Sequence, residues 1–280
     1  MVAELISVGT EILLGNIVNT NAAYLAEKCA LLGLSLYHQS VVGDNEARME
    51  DTIRRALERS DVVILTGGLG PTKDDLTKEV TAKVFKKALC EDAHTKERIM
   101  EFFQKIHNGE KITENNWKQA LIPEGAIIVE NQNGTAPGLI VIGDEGSGYE
   151  GKRAILIPGP PNECIPMFET QIAPYLSDLQ PEGIYSSMVK VCAIGESRAE
   201  TMVADLMDAQ TNPTLAPYAK TGEVHFRVTA KAKDEESAKC LMAPMLEELK
   251  KRFGDHIYTT KEEVTLEEAV IQMLEERKMT

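Results

Sequence analysis

The feature that most constrains the fold of this chain is a short apolar segment that runs directly into a glycine-rich loop. The segment, VVIL at residues 62–65, is an unbroken apolar run of the kind found in central strands of parallel sheets. TGGLGPT follows at residues 66–72, and its glycines permit positive φ angles and a close approach of the backbone to a ligand. We therefore predict a strand, a phosphate-binding loop and then a helix that begins near Leu76.

Two adjacent carboxylates, Asp74 and Asp75, close this loop. Either one is a suitable cap for the helix that follows, whose N-terminus favours phosphate. Beside a bound phosphate, two carboxylates would repel the anion unless a divalent cation bridged them, so the pair indicates a metal. The loop matches neither GxxxxGK[ST] nor GxGxxG, and its composition fits a glycine-rich turn without a ligand equally well.

Further motifs are distributed over nearly the whole chain. They are VGTEILLG at residues 8–15, NTN at 19–21, NGTAPG at 133–138, PGPPNE at 158–163, GES at 195–197 and NPTLAPYAK at 212–220. Together with TGGLGPTKDDLT at residues 66–77, they resemble the CinA family of competence/damage-inducible proteins. The resemblance implies an α/β fold, with a three-layer molybdopterin-binding-like (MoCF) domain on a mostly parallel sheet, followed by a small α+β domain.

The domain boundaries follow from a polar break near residues 179–183. We expect a MoCF-like nucleotide-binding and hydrolase domain at residues 1–178, a small KH-like α+β domain at 179–258, and a helix or linker at 259–280. The middle region has no GxxG loop, which argues against nucleic-acid clamping. In longer family members a nicotinamide mononucleotide deamidase domain follows, and its catalytic motif would lie beyond Thr280.

The spacing of apolar residues predicts several helices. The predicted ranges are residues 93–106, 196–207, 235–253 and 264–277, and Thr265 introduces the last of them. The NTN motif at residues 19–21 offers the N-cap of another helix.

Charge and hydropathy narrow the range of partners. The formal net charge of −14 makes a nucleic-acid partner unlikely, because phosphate neutralisation needs a basic surface. The most apolar runs are only as long as strands, and the N-terminus lacks the basic segment of a signal peptide, so we expect a cytoplasmic protein without membrane contact. The five cysteines are scattered and show no CxxC spacing, which argues against a zinc site.

Acidic residues recur where the predicted parallel strands end. If the strand order is as predicted, Glu11, Asp44, Asp74, Asp75 and Glu163 gather along one edge of the sheet. Asp44 is also placed to cap the helix after the second strand. Hydrolysis of a diphosphate needs neutralised phosphoryl oxygens and an activated water, and an oxygen-ligated divalent metal supplies both.

The resemblance assigns these residues to a reaction, since CinA N-terminal domains are described as ADP-ribose pyrophosphatases that form AMP and ribose 5-phosphate with a divalent metal (Mg, Mn or Co). It implies a small-molecule nucleotide substrate and a homodimer. The implied catalytic residues are Asp75, Asp44 and Lys73. The implied substrate-binding residues are Thr10, Glu11, Gly67, Gly68, Gly70, Pro71, Thr72, Asn133, Gly134 and Gly159. The implied metal ligands are Asp75, Asp44, Asp74 and Glu163.

Several alternatives stay open at this point. The same pocket could belong to a non-catalytic nucleotide- or molybdopterin-binding module in competence or damage response, or to a protein of molybdenum cofactor biosynthesis. The loop departs from cofactor-synthesis proteins, which typically have Thr where Leu69 stands and Arg-Asp at its end. Asn133-Gly134 also fits a plain hairpin turn, and the segment around residues 213–220 fits either an ordinary loop or one that reaches a ligand in a neighbouring subunit.

Overall fold

The computed structural model describes residues 1–106, 112–179 and 182–277. The chain divides into two compact units, Met1–Gln180 and Pro181–Thr280. The second unit includes the segment from residue 259 onwards, for which we predicted a helix or linker. Within the described residues, none of the helices combines the length and the apolar character needed to cross a membrane.

In the first unit, strands and helices alternate through most of the chain. In order, they are β1 Val2–Val8, α1 Thr10–Leu13, α2 Thr20–Leu31, β2 Ser35–Val42, α3 Glu46–Arg59, β3 Val62–Thr66, α4 Thr77–Val84, β4 Leu89–Glu91, α5 Ala93–Ile106, β5 Leu121–Pro123, β6 Ile127–Val129, β7 Gly138–Ile142, β8 Arg153–Ile157, α6 Pro161–Met167 and α7 Ala173–Leu179. A 3₁₀ helix, Glu114–Ala120, precedes β5, and a π-helical turn, Phe168–Ile172, joins α6 to α7.

The central sheet has the order β2-β1-β3-β8-β7-β6. The first four strands are parallel to one another, and β7 pairs antiparallel with both β8 and β6. This confirms the predicted mostly parallel sheet. Because parallel strands end at the same edge, the loops after β1, β2, β3 and β8 open on one side of the unit.

Side chains of β3 alternate between two cores, as the two-residue period of a strand requires. Val63 and Leu65 pack in the core beneath α3 and α4, whereas Val62 and Ile64 pack in the core beneath α2 and α6. Helices therefore cover both faces of the sheet and produce three layers. The all-apolar sequence of β3 follows from this burial on both faces.

The second unit is built on an antiparallel sheet. Its elements are β9 Gly183–Cys192, α8 Glu196–Thr201, α9 Ala204–Asp208, β10 Thr214–Lys220, β11 Glu223–Ala232, α10 Glu235–Phe253, a 3₁₀ turn Gly254–His256, β12 Ile257–Thr259 and α11 Leu266–Glu276. The sheet order is β10-β11-β9-β12, and α10 packs against β11 and β9. Phe226 and Phe253 stack in the core with ring centroids 4.8 Å apart.

Two predictions for the second unit were wrong. The segment around residues 213–220 is not a loop: Thr214–Lys220 forms β10. It lies at the edge of the sheet, where Pro217 is tolerated although it has no N–H to donate. The single helix expected at 196–207 is two short helices, α8 and α9. The predicted start of the last helix is confirmed, since Thr265 forms a capping box with Glu268.

Candidate active site

The four parallel strands end at a cleft of about 860 Å³ in the first unit. Most residues predicted for the site lie in its wall. They are Glu11, Asp44, Gly67, Gly68, Gly70, Pro71, Thr72, Asp74, Asp75, Asn133, Gly134, Gly159 and Glu163. Thr10 and Lys73 do not line the cleft, and Lys73 is exposed. The cleft therefore unites loops that are far apart in the sequence.

The glycine loop is fixed by hydrogen bonds to β8 and to α4. Gly67 donates its N–H to the carbonyl of Ile157 at 2.9 Å, and its own carbonyl accepts from Thr77 Oγ1 at 2.8 Å. Its φ of +96° belongs to the region that favours glycine, and a Cβ here would collide with the carbonyl oxygen of Val8. Only glycine allows this backbone to cross so close to β1.

Asp75 closes the glycine loop on itself. Its Oδ2 accepts hydrogen bonds from the backbone N–H of Thr72 at 2.9 Å and from Thr72 Oγ1 at 2.6 Å. The prediction that Asp74 or Asp75 caps the next helix was wrong, because α4 begins after Leu76 without a side-chain cap. A Cβ at Gly70 would come within 2.5 Å of the same Oδ2, so glycine makes room for the carboxylate. Asp75 is thereby held in the cleft wall.

Asp44 is held in the same way on the neighbouring loop. Its Oδ2 accepts from the backbone N–H of Thr10 at 3.0 Å and from Thr10 Oγ1 at 2.8 Å. The prediction that Asp44 caps α3 was wrong: Asn45 is the cap, and its side chain accepts from Arg48 N at 3.1 Å. Thr10 thus orients Asp44, and its predicted contact with substrate stays a prediction. Two aspartates of the cleft are thus each fixed through one oxygen by one threonine.

The loop between β6 and β7 forms another part of the wall. It connects an antiparallel pair, as the hairpin interpretation required, and Asn133 and Gly134 also line the cleft. Asn131 Nδ2 donates to Glu163 Oε2 at 2.6 Å, which ties this loop to α6. Burial raises the pKa of the Glu163 carboxyl, and the hydrogen bond from Asn131 opposes this effect.

Two lysines behind the glycine loop were missed by the sequence analysis. Lys118 Nζ donates to the backbone carbonyl of Thr72 at 2.9 Å and to that of Asp75. Lys78 is 6% exposed, and its Nζ donates to the carbonyl of Lys118 at 2.5 Å. Burial lowers the pKa of Lys78 to about 8. The two cations form a support that links α4, the 3₁₀ helix and the glycine loop.

The structure also adds Asn21 to the site. This residue is 9% exposed and lines the cleft, and its Nδ2 donates to the carbonyl of Gly159 at 2.7 Å. The NTN motif at residues 19–21 belongs to the family resemblance and predicts a helix cap, but it does not predict that Asn21 lines the cleft. Asn19 does cap α2, accepting from Ala22 N at 3.2 Å.

The carboxylates fit a divalent metal only in part. Among residues 1–106, 112–179 and 182–277, no three His, Cys, Asp or Glu side chains gather closely enough to hold an ion. The predicted ligands instead lie on three separate segments: Asp44 follows β2, Asp74 and Asp75 end the glycine loop, and Glu163 lies in α6, where Asn131 engages it. Mg²⁺ is commonly held by one or two carboxylates together with water and substrate phosphates. Asp44 and Asp75 provide oxygen donors of this kind.

Comparison with known proteins gives a consistent result. The family model described as "Probable molybdopterin binding domain" matches residues 4–178, and the model described as "Damage-inducible protein CinA KH domain" matches residues 186–259. A CinA-like protein of Dictyoglomus turgidum is 50% identical, and one of Dictyoglomus thermophilum is 49% identical, each over 280 residues. Each alignment covers 100% of this chain and 66% of the relative, so the chain spans less than two thirds of their length.

One solved structure extends the comparison to the fold. The crystal structure of the protein CinA with unknown function from Thermoplasma acidophilum is similar to this chain with a TM-score of 0.53 and 37% identity. The similarity covers 61% of this chain and 95% of that one.

Proposed function

The chain belongs to the CinA family and carries a probable molybdopterin binding domain, and we propose that its first unit hydrolyses ADP-ribose. The products would be AMP and ribose 5-phosphate. One observation carries the proposal: the glycine loop and two fixed aspartates, Asp44 and Asp75, lie in the wall of one cleft. This arrangement suits a diphosphate with water beside it.

The reaction places definite demands on these residues. A water oxygen forms a bond to phosphorus, the bridging P–O bond breaks, and the water gives up a proton. Asp75 suits the role of proton acceptor, because Thr72 fixes Oδ2 and so orients the carboxylate. The backbone of the glycine loop suits the diphosphate, since its glycines allow close approach. A divalent cation, when bound at Asp44 and Asp75, supplies neutralisation of phosphoryl charge.

The substitution Asp75→Asn tests this assignment. The variant keeps the size of the side chain but removes its charge, so we expect turnover of ADP-ribose to fall about 100-fold or more, as for loss of a general base. Asp51→Asn is the matched control, because Asp51 lies on the surface of α3, paired with Arg55 and 61% exposed. Wild-type turnover in a folded Asp75→Asn variant would contradict the assignment.

A second candidate is a binding module without turnover. The description of the matched family as a probable molybdopterin binding domain favours it. In that case ADP-ribose or AMP would raise the melting temperature without the appearance of product. A catalytic role for Lys73, a homodimer and a cytoplasmic location stay predictions.

A further inference from the structure

One part of the cleft wall has a different chemistry from the glycine loop. There, Phe102 and Phe103 of α5 lie beside the 3₁₀ helix, which contributes Asn116 and Gln119. Both phenylalanines are half-buried, and α5 contacts the 3₁₀ helix. We name these four residues the aromatic wall. It offers flat apolar surface and two amide side chains, where the glycine loop offers backbone and carboxylates.

Gln119 has an unsatisfied acceptor. The residue is 2% exposed, and its Nε2 donates to the carbonyl of Leu69 at 3.4 Å. Because a backbone carbonyl can only accept a hydrogen bond, the NH₂ group of the amide must be the part that faces Leu69. The amide oxygen Oε1 therefore takes no part in this contact. Oε1 is buried and has no hydrogen-bond partner. A buried acceptor without a donor is costly, so a donor brought by a ligand would be bound favourably.

We infer that the aromatic wall binds the base of the nucleotide and that Gln119 selects a base with an exocyclic amino group. The base packs on Phe102 and Phe103, and its amino group donates to Gln119 Oε1. A base with an oxo group at the same position places an acceptor against an acceptor and is rejected. Adenine therefore binds better than hypoxanthine. The inference rests on the proposed nucleotide substrate, and it concerns binding rather than cleavage.

AMP and IMP are the probes that test it, because the bases differ in an amino group against an oxo group at this position, together with the proton that the oxo form carries on the adjacent ring nitrogen N1. Calorimetry on the full chain measures both affinities without any turnover. We expect AMP to bind the wild type about tenfold more tightly than IMP, the usual scale of one hydrogen bond. In Gln119→Leu, AMP weakens towards the affinity of IMP and the preference disappears. Gln104→Leu, on the exposed side of α5, is the matched control and keeps the preference.

Three results would overturn the inference: equal affinities of the wild type for AMP and IMP, binding of neither nucleotide, or an unchanged preference in Gln119→Leu. The wild-type comparison needs no variant, so the test survives if Gln119→Leu fails to fold. AMP selectivity that Gln119 controls, without cleavage of ADP-ribose, would support the base subsite while contradicting the hydrolase proposal. Failure of the base subsite and failure of the hydrolase proposal can therefore be distinguished.

Discussion

Replacement of Lys78 by methionine should change how the stability of the first unit depends on pH. Lys78 is buried on α4, and burial lowers its pKa from 10.5 to about 8. Between these two values the unfolded chain binds more protons than the folded chain, so the free energy of unfolding rises with pH. Lys78→Met removes this contribution and keeps an apolar side chain of similar length.

The size of the effect follows from the difference in pKa. A lowering from 10.5 to about 8 corresponds to about 3 kcal/mol, at about 1.4 kcal/mol for each pH unit. The free energy of unfolding changes mainly between the two pKa values, because there the folded and unfolded states bind different numbers of protons. About 2 kcal/mol of this change falls between pH 7 and pH 9.5. Over that range we expect the wild type to gain this amount of stability relative to Lys78→Met.

Urea unfolding followed by tryptophan fluorescence measures the difference. Trp117 is the only tryptophan of the chain and lies in the first unit, so its signal reports on that unit. Lys83→Met on the same helix is the control: a hydrogen bond with Glu46 raises the pKa of Lys83, so its contribution has the opposite sign. A difference in the free energy of unfolding between wild type and Lys78→Met that stays constant from pH 7 to pH 9.5 would contradict a lowered pKa of Lys78.

Substitutions at three further positions test other contacts of the site. Gly67→Ala should lower the free energy of unfolding by about 2–3 kcal/mol, because its Cβ meets the Val8 carbonyl at an unfavourable φ; an unchanged urea midpoint would contradict this. Burial raises the pKa of Glu163, so the stability of the wild type relative to Glu163→Gln should be greatest below pH 4.5 and should fall as the pH rises above it. If the melting temperatures of the two proteins differ equally at pH 4.5 and pH 7.5, this prediction is wrong. Lys118→Met should lower kcat for ADP-ribose about tenfold with little change in KM, because the carbonyl of Asp75 loses its hydrogen-bond donor. Lys118→Arg should recover part of the loss. Equal kcat values for the wild type, Lys118→Met and Lys118→Arg would exclude a positioning role for Lys118.

Periodicity was sufficient for the elements that bury a continuous apolar face. The predicted bounds of α5 and α10 agree with the structure, because each helix has a clear apolar stripe and a defined start. β10 was not predicted, because Pro213 and Pro217 are untypical of a strand interior and are tolerated only at an edge. The strand that pairs with β10 also comes later in the chain. Local sequence does not specify which segment will pair with an edge.

In the candidate site too, some features could be predicted from the sequence and others depended on the fold. The gathering of the loops was predictable, because the carboxyl ends of parallel strands meet at one edge. The partners of the aspartates were not, since a carboxylate before a helix can cap it or turn back to a threonine, and both choices satisfy donors. Lys118 left no local signal either: it lies 43 residues from Asp75 and meets it only through the fold.

The most direct test of ADP-ribose hydrolysis by the first unit is product analysis with the wild-type protein. ADP-ribose is incubated with Mg²⁺, Mn²⁺ or Co²⁺ in turn, and with EDTA as the control, and the mixture is separated by chromatography. We expect AMP and ribose 5-phosphate in equal amounts with at least one metal, and neither product with EDTA. Intact ADP-ribose under every metal, from a protein that still binds AMP, would contradict hydrolysis and favour a nucleotide-binding module.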